Sequence, residues 1–418
     1  MSRTGTLDGH GAPQGGGGTL TREGSRPPAS RPASMRHTIQ YLSALLLVAA
    51  SARAGIPARE IVVQLSSPAL AGQSFRSSAL PAAVRRRFAA LGLLPARAFA
   101  AERAGAGLAP GRDLPAIYDF HPERILLVEA ADSSLANSAL VALAGDPLVD
   151  WAEPNVTRSV ALIGYSAPAL PARVPAAAAG LDSLANDPYL RRGLQYGLWN
   201  LGPQFGTTRA DVHAIEAWHR SVGANTIKLA VADTGIDPAQ PELGGLMPDG
   251  SPRIVDPFNA TDDTVGGVID LYGHGTPVAG VMAARTNDGP HFAPDAGIAG
   301  VCGGDGGANA GCRIVPIKIA PGHSGDATTF DIARACVHAA DVGARAMNLS
   351  FAGDAPSRVE RLALTYALYN GCVPVCAAGN SGFDEPRLPL YPAVYARDGL
   401  AISVGASDEN DRRTAFSS

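Results

Sequence analysis

Three polar side chains that could take part in catalysis follow short apolar runs in the second half of the chain. Asp233 ends the strand-like run in KLAVADTGIDP, although an aspartate at such a place is more often a turn former or a helix N-cap. His274 stands between two glycines in DLYGHGTPVAG and opens a helix-like run, where the helix dipole disfavours protonation and favours a neutral base. Asn380 ends VPVCAAGN, and its amide could donate to an oxyanion that forms on a peptide carbonyl. A lone histidine is also a common structural residue, so each motif is weak by itself.

A fourth segment, AMNLSFAG (Ala346 to Gly353), is a strand-like run whose last residues could offer backbone groups to an extended peptide. In order and in spacing, the four segments resemble the subtilase family of serine proteases over residues 186 to 418. The resemblance implies an Asp, His, Ser triad in that chain order. It implies that Asp233 orients His274, that His274 acts as general base and then as general acid, and that Asn380 completes the oxyanion hole.

The same resemblance implies the residues that bind substrate. These are Ser350, Phe351, Ala352 and Gly353 in the strand that pairs with the substrate backbone, and Ala378 and Gly379 in the far wall of the primary specificity pocket. Ala352 stands where the family usually has glycine, and its methyl group is expected to crowd a bound peptide. With Leu390 near the pocket floor, this favours small or medium apolar residues before the cut.

The nucleophile of the family is the feature that this sequence does not supply. A Gly-Thr-Ser segment is absent from the 418 residues, and family spacing places the serine about 150 or more residues after His274, beyond Ser418. Neither Ser417 nor Ser418 has a glycine-flanked context. The first hypothesis is therefore a secreted serine endopeptidase whose serine lies beyond the end of this chain, so that the chain as given is inactive. The alternative is an inactive relative that binds peptides without cleaving them; a metal-dependent hydrolase is disfavoured because no HExxH motif occurs.

Strand-like and helix-like runs alternate regularly after Asp187. This succession predicts βαβ units and a largely parallel sheet, which binds ligands at the carboxyl ends of its strands. The predicted fold is α/β, a subtilisin-like mostly parallel sheet flanked by helices and incomplete at the C-terminus, preceded by a small α+β domain. That sheet edge is where the four segments above fall.

Composition divides the chain into five predicted segments: a disordered or mis-called start (1–34), a signal peptide (35–54), a propeptide-like domain (55–157), a linker (158–185) and an incomplete catalytic domain (186–418). The signal peptide is indicated by Arg36 and His37, the apolar run YLSALLLVAA and the small residues before Gly55. The apolar run is shorter than the ~20 residues that span a bilayer. We therefore expect a secreted or periplasmic protein with no membrane span after signal cleavage.

The small domain is predicted from two β-branched runs, REIVVQL and ERILLVEA, each followed by a helical pattern. One helix is expected from Phe88 to Leu94, after the run of three arginines, and a second from Leu135 to Leu143 with Ser134 as its N-cap. The closing run, DPLVDWAEPNV, predicts another short strand. The resemblance implies that this domain is the protein's own inhibitory propeptide and that the other partners are protein or peptide substrates.

Charge and cysteine usage limit the remaining partners. A net charge of −4 and scattered arginines indicate no nucleic-acid partner. Cys302 and Cys312 flank the glycine-rich loop CGGDGGANAGC, and an oxidising compartment favours a disulfide that closes it, although spacing alone does not fix the pairing. The resemblance implies no cofactor for catalysis but allows structural calcium, with Asp187 and Glu242 at ligand positions. Two carboxylates are fewer than the six to eight oxygens that calcium takes, so surface acids are the simpler interpretation.

Overall fold

The computed structural model describes residues 59–70, 80–99, 120–160, 185–202, 206–247, 249–262, 267–290, 297–307, 311–382 and 389–418. The predicted disordered start and signal peptide lie outside the described residues, as does residue range 161–184 of the predicted linker. No helix of the described residues is long and apolar enough to cross a membrane.

Four strands form an antiparallel sheet in the N-terminal part of the described chain. They are β1 (Glu60–Leu65), β2 (Leu93–Ala98), β3 (Ile125–Ala130) and β4 (Val149–Pro154), in the order β2-β3-β1-β4. The runs around β1, β3 and β4 are confirmed as strands. Their alternate apolar side chains pack in a core with the helices of this unit. The side chains between them, among them Val62, Ile125 and Leu127, join the core of the larger unit, so both faces of the sheet are covered.

The helices of this unit differ from the predicted ones. They are α1 (Ser67–Leu70), α2 (Ala82–Ala90) and α3 (Ser133–Leu143). The prediction of a helix from Phe88 to Leu94 is wrong, because the chain turns after α2 and continues as β2 along β3. The N-cap of α3 is Asp132 and not Ser134, because the Asp132 carboxylate accepts the backbone N–H of Leu135 at 2.8 Å. The helix therefore begins at Ser133, two residues before the predicted start at Leu135.

A second sheet of six parallel strands forms the larger part of the molecule. Its strands are β6 (Lys228–Asp233), β7 (Phe258–Asn259), β8 (Arg313–Lys318), β10 (Ala346–Leu349), β11 (Val373–Ala377) and β12 (Ile402–Val404), in the order β12-β11-β10-β6-β8-β7. The flanking helices are α4 (Pro188–Arg191), α5 (Ala214–Trp218), α6 (Gly275–Ala283), α7 (Thr329–Asp341) and α8 (Arg358–Tyr369). The predicted parallel α/β sheet is confirmed.

Helices cover both faces of the central part of this sheet, which explains why β6 and β8 are apolar runs with polar residues at their ends. Along β6, Ala230 and Ala232 belong to the core that includes α7 and α8. Val231, between them, packs on the opposite face with Ala279 and Ala283 of α6. Side chains alternate across a strand, so β6 is buried on both sides and can carry a polar group only at its end.

A short two-stranded sheet joins the two units. Strand β5 (Thr157–Ser159) pairs antiparallel with β9 (Asp326–Thr328). The predicted linker therefore begins too early, since Arg158 and Ser159 are part of a strand. Composition did not indicate this, because the strand is held by partners more than 160 residues away.

Candidate active site

Asp233 and His274 form a hydrogen-bonded pair at the carboxyl end of β6. His274 Nδ1 lies 2.7 Å from Asp233 Oδ1, which also accepts the backbone N–H of Thr234 at 2.7 Å. Asp233 is fully buried, whereas the His274 side chain keeps 16% of its surface exposed. A buried carboxylate on Nδ1 selects the tautomer in which Nε2 is the proton acceptor. The pair can therefore work as an oriented general base.

Two carboxylates determine the pKa of His274. Burial by itself lowers it, but the hydrogen bond and charge of Asp233 and the charge of Asp270 raise the pKa above the usual 6.5. The expectation that the helix dipole at the start of α6 makes His274 harder to protonate is therefore wrong in its net direction. The hydrogen-bonded carboxylate of Asp233 and the nearby charge of Asp270 outweigh a dipole whose effect is modest.

Asp270 organises the turn that carries His274. Its Oδ1 accepts the Thr234 hydroxyl at 2.8 Å and the Gly273 N–H at 2.7 Å, and its Oδ2 accepts the N–H and hydroxyl of Thr276 at 2.9 and 2.8 Å. Sequence reasoning missed this residue. The available signal was an aspartate just before a glycine-containing turn, where Asp commonly bonds backbone N–H groups.

The two glycines beside His274 have different roles. A Cβ on Gly275 would overlap Gly235 O and come within 3.0 Å of Asp233 Cβ, so glycine allows α6 to start against β6. Gly273 has open space around it but a φ of +94°, which side chains other than glycine rarely adopt. Gly275 thus allows the imidazole of His274 to lie close to Asp233.

The strand that follows β10 binds extended polypeptide in this structure. Ala352 exchanges two backbone hydrogen bonds with Ser159 of β5, at 3.0 and 3.1 Å, and the Val160 N–H donates to Gly325 O at 2.9 Å. Residues 157–160 thus lie between β9 and the segment formed by Ser350, Phe351, Ala352 and Gly353. The methyl group of Ala352 does not prevent this backbone pairing.

The structure places the predicted pocket residues just beyond β11. Gly379 has a φ of +108°, and a Cβ there would overlap the side chain of Leu390, so Leu390 lies directly against the wall formed by Ala378 and Gly379. Asn380 follows on the exposed rim. These residues therefore share the sheet edge that holds Asp233, as the βαβ pattern predicted.

The two terminal serines form hydrogen bonds away from His274. Ser417 is buried, and its hydroxyl accepts the Ala406 N–H at 2.9 Å. Ser418 Oγ shares a hydrogen bond of 2.8 Å with Ser381 Oγ. That neither serine is the nucleophile stays a prediction.

Cys302 and Cys312 are free thiols in the structure and do not form the predicted disulfide. Their side chains are hydrogen-bonded to each other, and this bond lowers the pKa of Cys312 to about 6 while it raises that of Cys302. Cys302 Sγ also lies 3.1 Å from Met282 O at the end of α6. The sulfur atoms are thus adjacent, and their oxidation stays a prediction.

Asp187 and Glu242 are buried, contrary to the interpretation as surface acids. Asp187 Oδ2 accepts the Asn287 N–H at 2.9 Å, whereas Oδ1 is buried with no hydrogen-bond partner. Burial and the charges of Asp288 and Glu242 raise the pKa of Asp187 to about 7. Among the described residues no three His, Cys, Asp or Glu side chains are grouped to hold a metal. Any cation at Asp187 would therefore also need backbone or amide oxygens, which calcium accepts.

Comparisons with known proteins identify the family of this chain. A family model described as the subtilase family matches residues 224–418. The thermitase of Thermoactinomyces vulgaris is 33% identical over 232 residues, which are 56% of this chain and 68% of that protein. The chain belongs to the subtilase family. A thermophilic serine proteinase of Bacillus sp. (strain AK1) is 32% identical over 66% of this chain, which spans 54% of that relative's length.

A solved structure supports the subtilase fold. Fervidolysin from Fervidobacterium pennivorans, described as a keratinolytic enzyme related to subtilisin, aligns with a TM-score of 0.55 at 24% identity. The alignment covers 86% of this subtilase chain and 45% of fervidolysin. At this identity the likeness concerns the fold, and it extends over most of the chain, beyond the 195 residues matched by the family model.

Proposed function

We propose that this protein is a secreted serine endopeptidase of the subtilisin type. The observation that carries the proposal is the Asp233–His274 hydrogen bond at the carboxyl end of β6, next to a strand that already binds extended polypeptide. The nucleophile in this proposal is the serine of the family's triad, which none of the residues described above supplies. Its proton passes to His274 Nε2 as the serine attacks the peptide carbonyl, and His274 returns a proton to the leaving amine.

The other site residues support this reaction. Asp233 stabilises the imidazolium that forms when His274 takes the proton. Asn380 is proposed to donate to the oxyanion, and a donor of this kind contributes about 3 to 4 kcal/mol of transition-state stabilisation. The contact of Leu390 with Gly379 narrows the primary pocket, which favours small or medium apolar residues before the cut.

The N-terminal unit is proposed to act as an inhibitory propeptide. Its last described residues, 157–160, occupy the groove between β9 and Ala352 by backbone hydrogen bonds, as a substrate would. Glu153 and Asn155 also cap the helices beside the groove: Glu153 accepts the N–H groups of Arg358 and Val359 at 2.7 and 2.8 Å. A peptide substrate cannot enter the same groove until this segment leaves.

Export and calcium complete the proposal. The signal-like segment at 35–54 supports a secreted or periplasmic location, where Cys302 and Cys312 could be oxidised to a disulfide. The buried, unpaired Asp187 Oδ1 and the raised pKa of this carboxyl fit a structural calcium ion. Calcium has no role in the proton transfers above.

The test is hydrolysis of casein by a protein that includes the proposed serine nucleophile, after its N-terminal unit has been removed. Casein should be cut, and His274→Ala should lower kcat by about 10⁴-fold or more. His213→Ala is the matched control, because the His213 side chain is 52% exposed and stands at the start of α5, outside the Asp233–His274 pair. Peptide binding without hydrolysis in the unmodified protein would favour the inactive relative instead.

A further inference from the structure

Arg158 inserts into the catalytic unit as a fully buried side chain. Its guanidinium meets Glu360 of α8 in a two-point contact, with Nη2 to Oε2 at 2.8 Å and Nε to Oε1 at 3.1 Å. Both side chains have 0% exposure. Burial by itself lowers the pKa of the Arg158 guanidinium, but the charge and hydrogen bond of Glu360 outweigh it, so the pKa of Arg158 is raised overall. A planar guanidinium against a carboxylate gives geometric selectivity that a point charge cannot.

Glu360 has no other role that accounts for its position. Ser357 and Glu360 have the spacing of a capping box, in which the glutamate would accept the backbone N–H of the N-cap residue. In this structure the Ser357 N–H donates instead to Tyr395 Oη at 3.1 Å, and the Ser357 hydroxyl accepts the Glu360 N–H. The Glu360 carboxylate is thus directed at Arg158 instead of the helix end.

The walls of this pocket fit a long side chain with a flat, cationic end. The Tyr391 ring lies 5.8 Å from the guanidinium carbon. A Cβ on Gly353 would come within 3.0 Å of Arg158 Cδ and Nη1, so the side chain passes close to the backbone of the substrate strand. An aromatic face and a carboxylate together favour arginine over lysine.

The strand that presents Arg158 runs toward the catalytic pair. Val160, two residues later, bonds Gly325, and Gly325 packs against Tyr272, two residues before His274. Val160 is thus on the side of this segment that lies toward His274, so a bond within reach of His274 is expected to follow Val160, with Arg158 at least three residues before it.

We infer that the pocket ending in Glu360 is a specificity subsite for extended peptides. It selects arginine at one fixed position, three or more residues before the cleaved bond. The meaning of this subsite for cleavage rests on the proposed function. A peptide without the guanidinium leaves the carboxylate buried without its counter-charge, which is costly. The chain's own segment carries the arginine that the pocket requires.

The first experiment measures hydrolysis of internally quenched peptides that reproduce residues 153–164. The enzyme is the protein used in the casein assay, with its N-terminal unit removed. Replacing the arginine by citrulline or alanine should lower kcat/KM by about 100-fold or more, and lysine should lie between. The matched control is a peptide in which the arginine moves to the position of Thr157, so that charge and composition are kept; it should be as poor as the alanine peptide. Glu360→Gln should remove the preference for arginine over citrulline. Equal rates for the arginine, citrulline and alanine peptides would overturn the inference.

A second measurement does not depend on catalysis. Hydrogen exchange of the Ser159 and Val160 amides is followed in the uncleaved chain carrying His274→Ala, with Arg158→Ala or, as the control, Thr157→Ala added. Loss of the arginine should speed exchange by about 100-fold, since the strand then opens more often, and the control should change little. If no peptide and no casein is cut, the proposed function fails, and this exchange result alone decides whether the pocket selects arginine in a bound segment: faster exchange supports that selection and unchanged exchange refutes it.

Discussion

Asp187 should make the stability of the calcium-free protein fall as pH rises. The carboxyl is fully buried, and burial together with Asp288 and Glu242 raises its pKa from 3.8 to about 7. Because the folded state holds this proton more tightly than the unfolded state, ionisation costs stability between about pH 4 and pH 7. A shift of about three units corresponds to about 4 kcal/mol, lost by pH 8 unless a cation offsets the charge.

The substitution Asp187→Asn tests this directly. Asparagine keeps an oxygen for the Asn287 N–H and removes the charge. In EDTA at pH 8 the variant should be more stable than the parent by about 2 to 4 kcal/mol, and at pH 4 the two should be nearly equal. Calcium should stabilise the parent protein, by mass action, and should have little effect on the variant. The neutral asparagine removes the repulsion from Asp288 and Glu242, and it also removes the carboxylate that would bind calcium.

The assay is urea unfolding at pH 4 and pH 8, each with EDTA and with calcium. Asp354→Asn serves as the control, because Asp354 is exposed and should respond to neither change. The reasoning is refuted if Asp187→Asn destabilises the chelated protein at pH 8 while calcium leaves the parent unchanged. That result would mean that the surrounding groups already accommodate the charge without a cation.

Three further results are expected. Asp270→Asn should lower kcat by about 10- to 100-fold with little change in KM, because the turn that holds His274 loses a charged acceptor for its N–H and hydroxyl groups. Steady-state kinetics measures this, and an unchanged kcat would contradict it. The rate should rise with pH through a midpoint above 6.5, since His274 must lose its proton, and Asp270→Asn should move that midpoint down. Burial raises the pKa of Glu153, so docking of the N-terminal unit should weaken as pH rises above about 4.5, and Glu153→Gln should flatten this dependence; release of the cleaved fragment at pH 5 and pH 8 measures it.

The elements that the sequence predicts well are those whose burial is strongest. Strands β6 and β8 are covered on both faces, so each appears as an apolar run with polar residues only at its ends, whereas β10 also carries the half-buried Asn348 within it. β2 escapes prediction because it is half exposed, contains Pro95 and Arg97, and depends on pairing with β3. The helix before it is misplaced for a related reason: Val84 and Phe88 are its buried residues, and the arginines between them are on the surface side.

The site divides in the same way. Asp233 and His274 follow apolar strands or glycine turns and match a family pattern, so local sequence suffices to propose them. Asp270 acts through a turn that only the coordinates define. The contact between Arg158 and Glu360 joins residues 202 positions apart, and no local pattern distinguishes either one from a solvated surface charge.

The start of α8 links docking of the N-terminal unit to choice of substrate. Glu153 fills the helix N-terminus through the Arg358 and Val359 N–H groups, and Glu360, one residue further, binds Arg158. Because both contacts use one turn of one helix, a change that shifts this turn should weaken inhibition and arginine selection together. A substrate supplies only the second contact, so it should bind this groove less tightly than the chain's own segment does. The chain's own segment is therefore held both by the capped start of α8 and by Glu360, whereas arginine selection in a substrate depends on Glu360 alone.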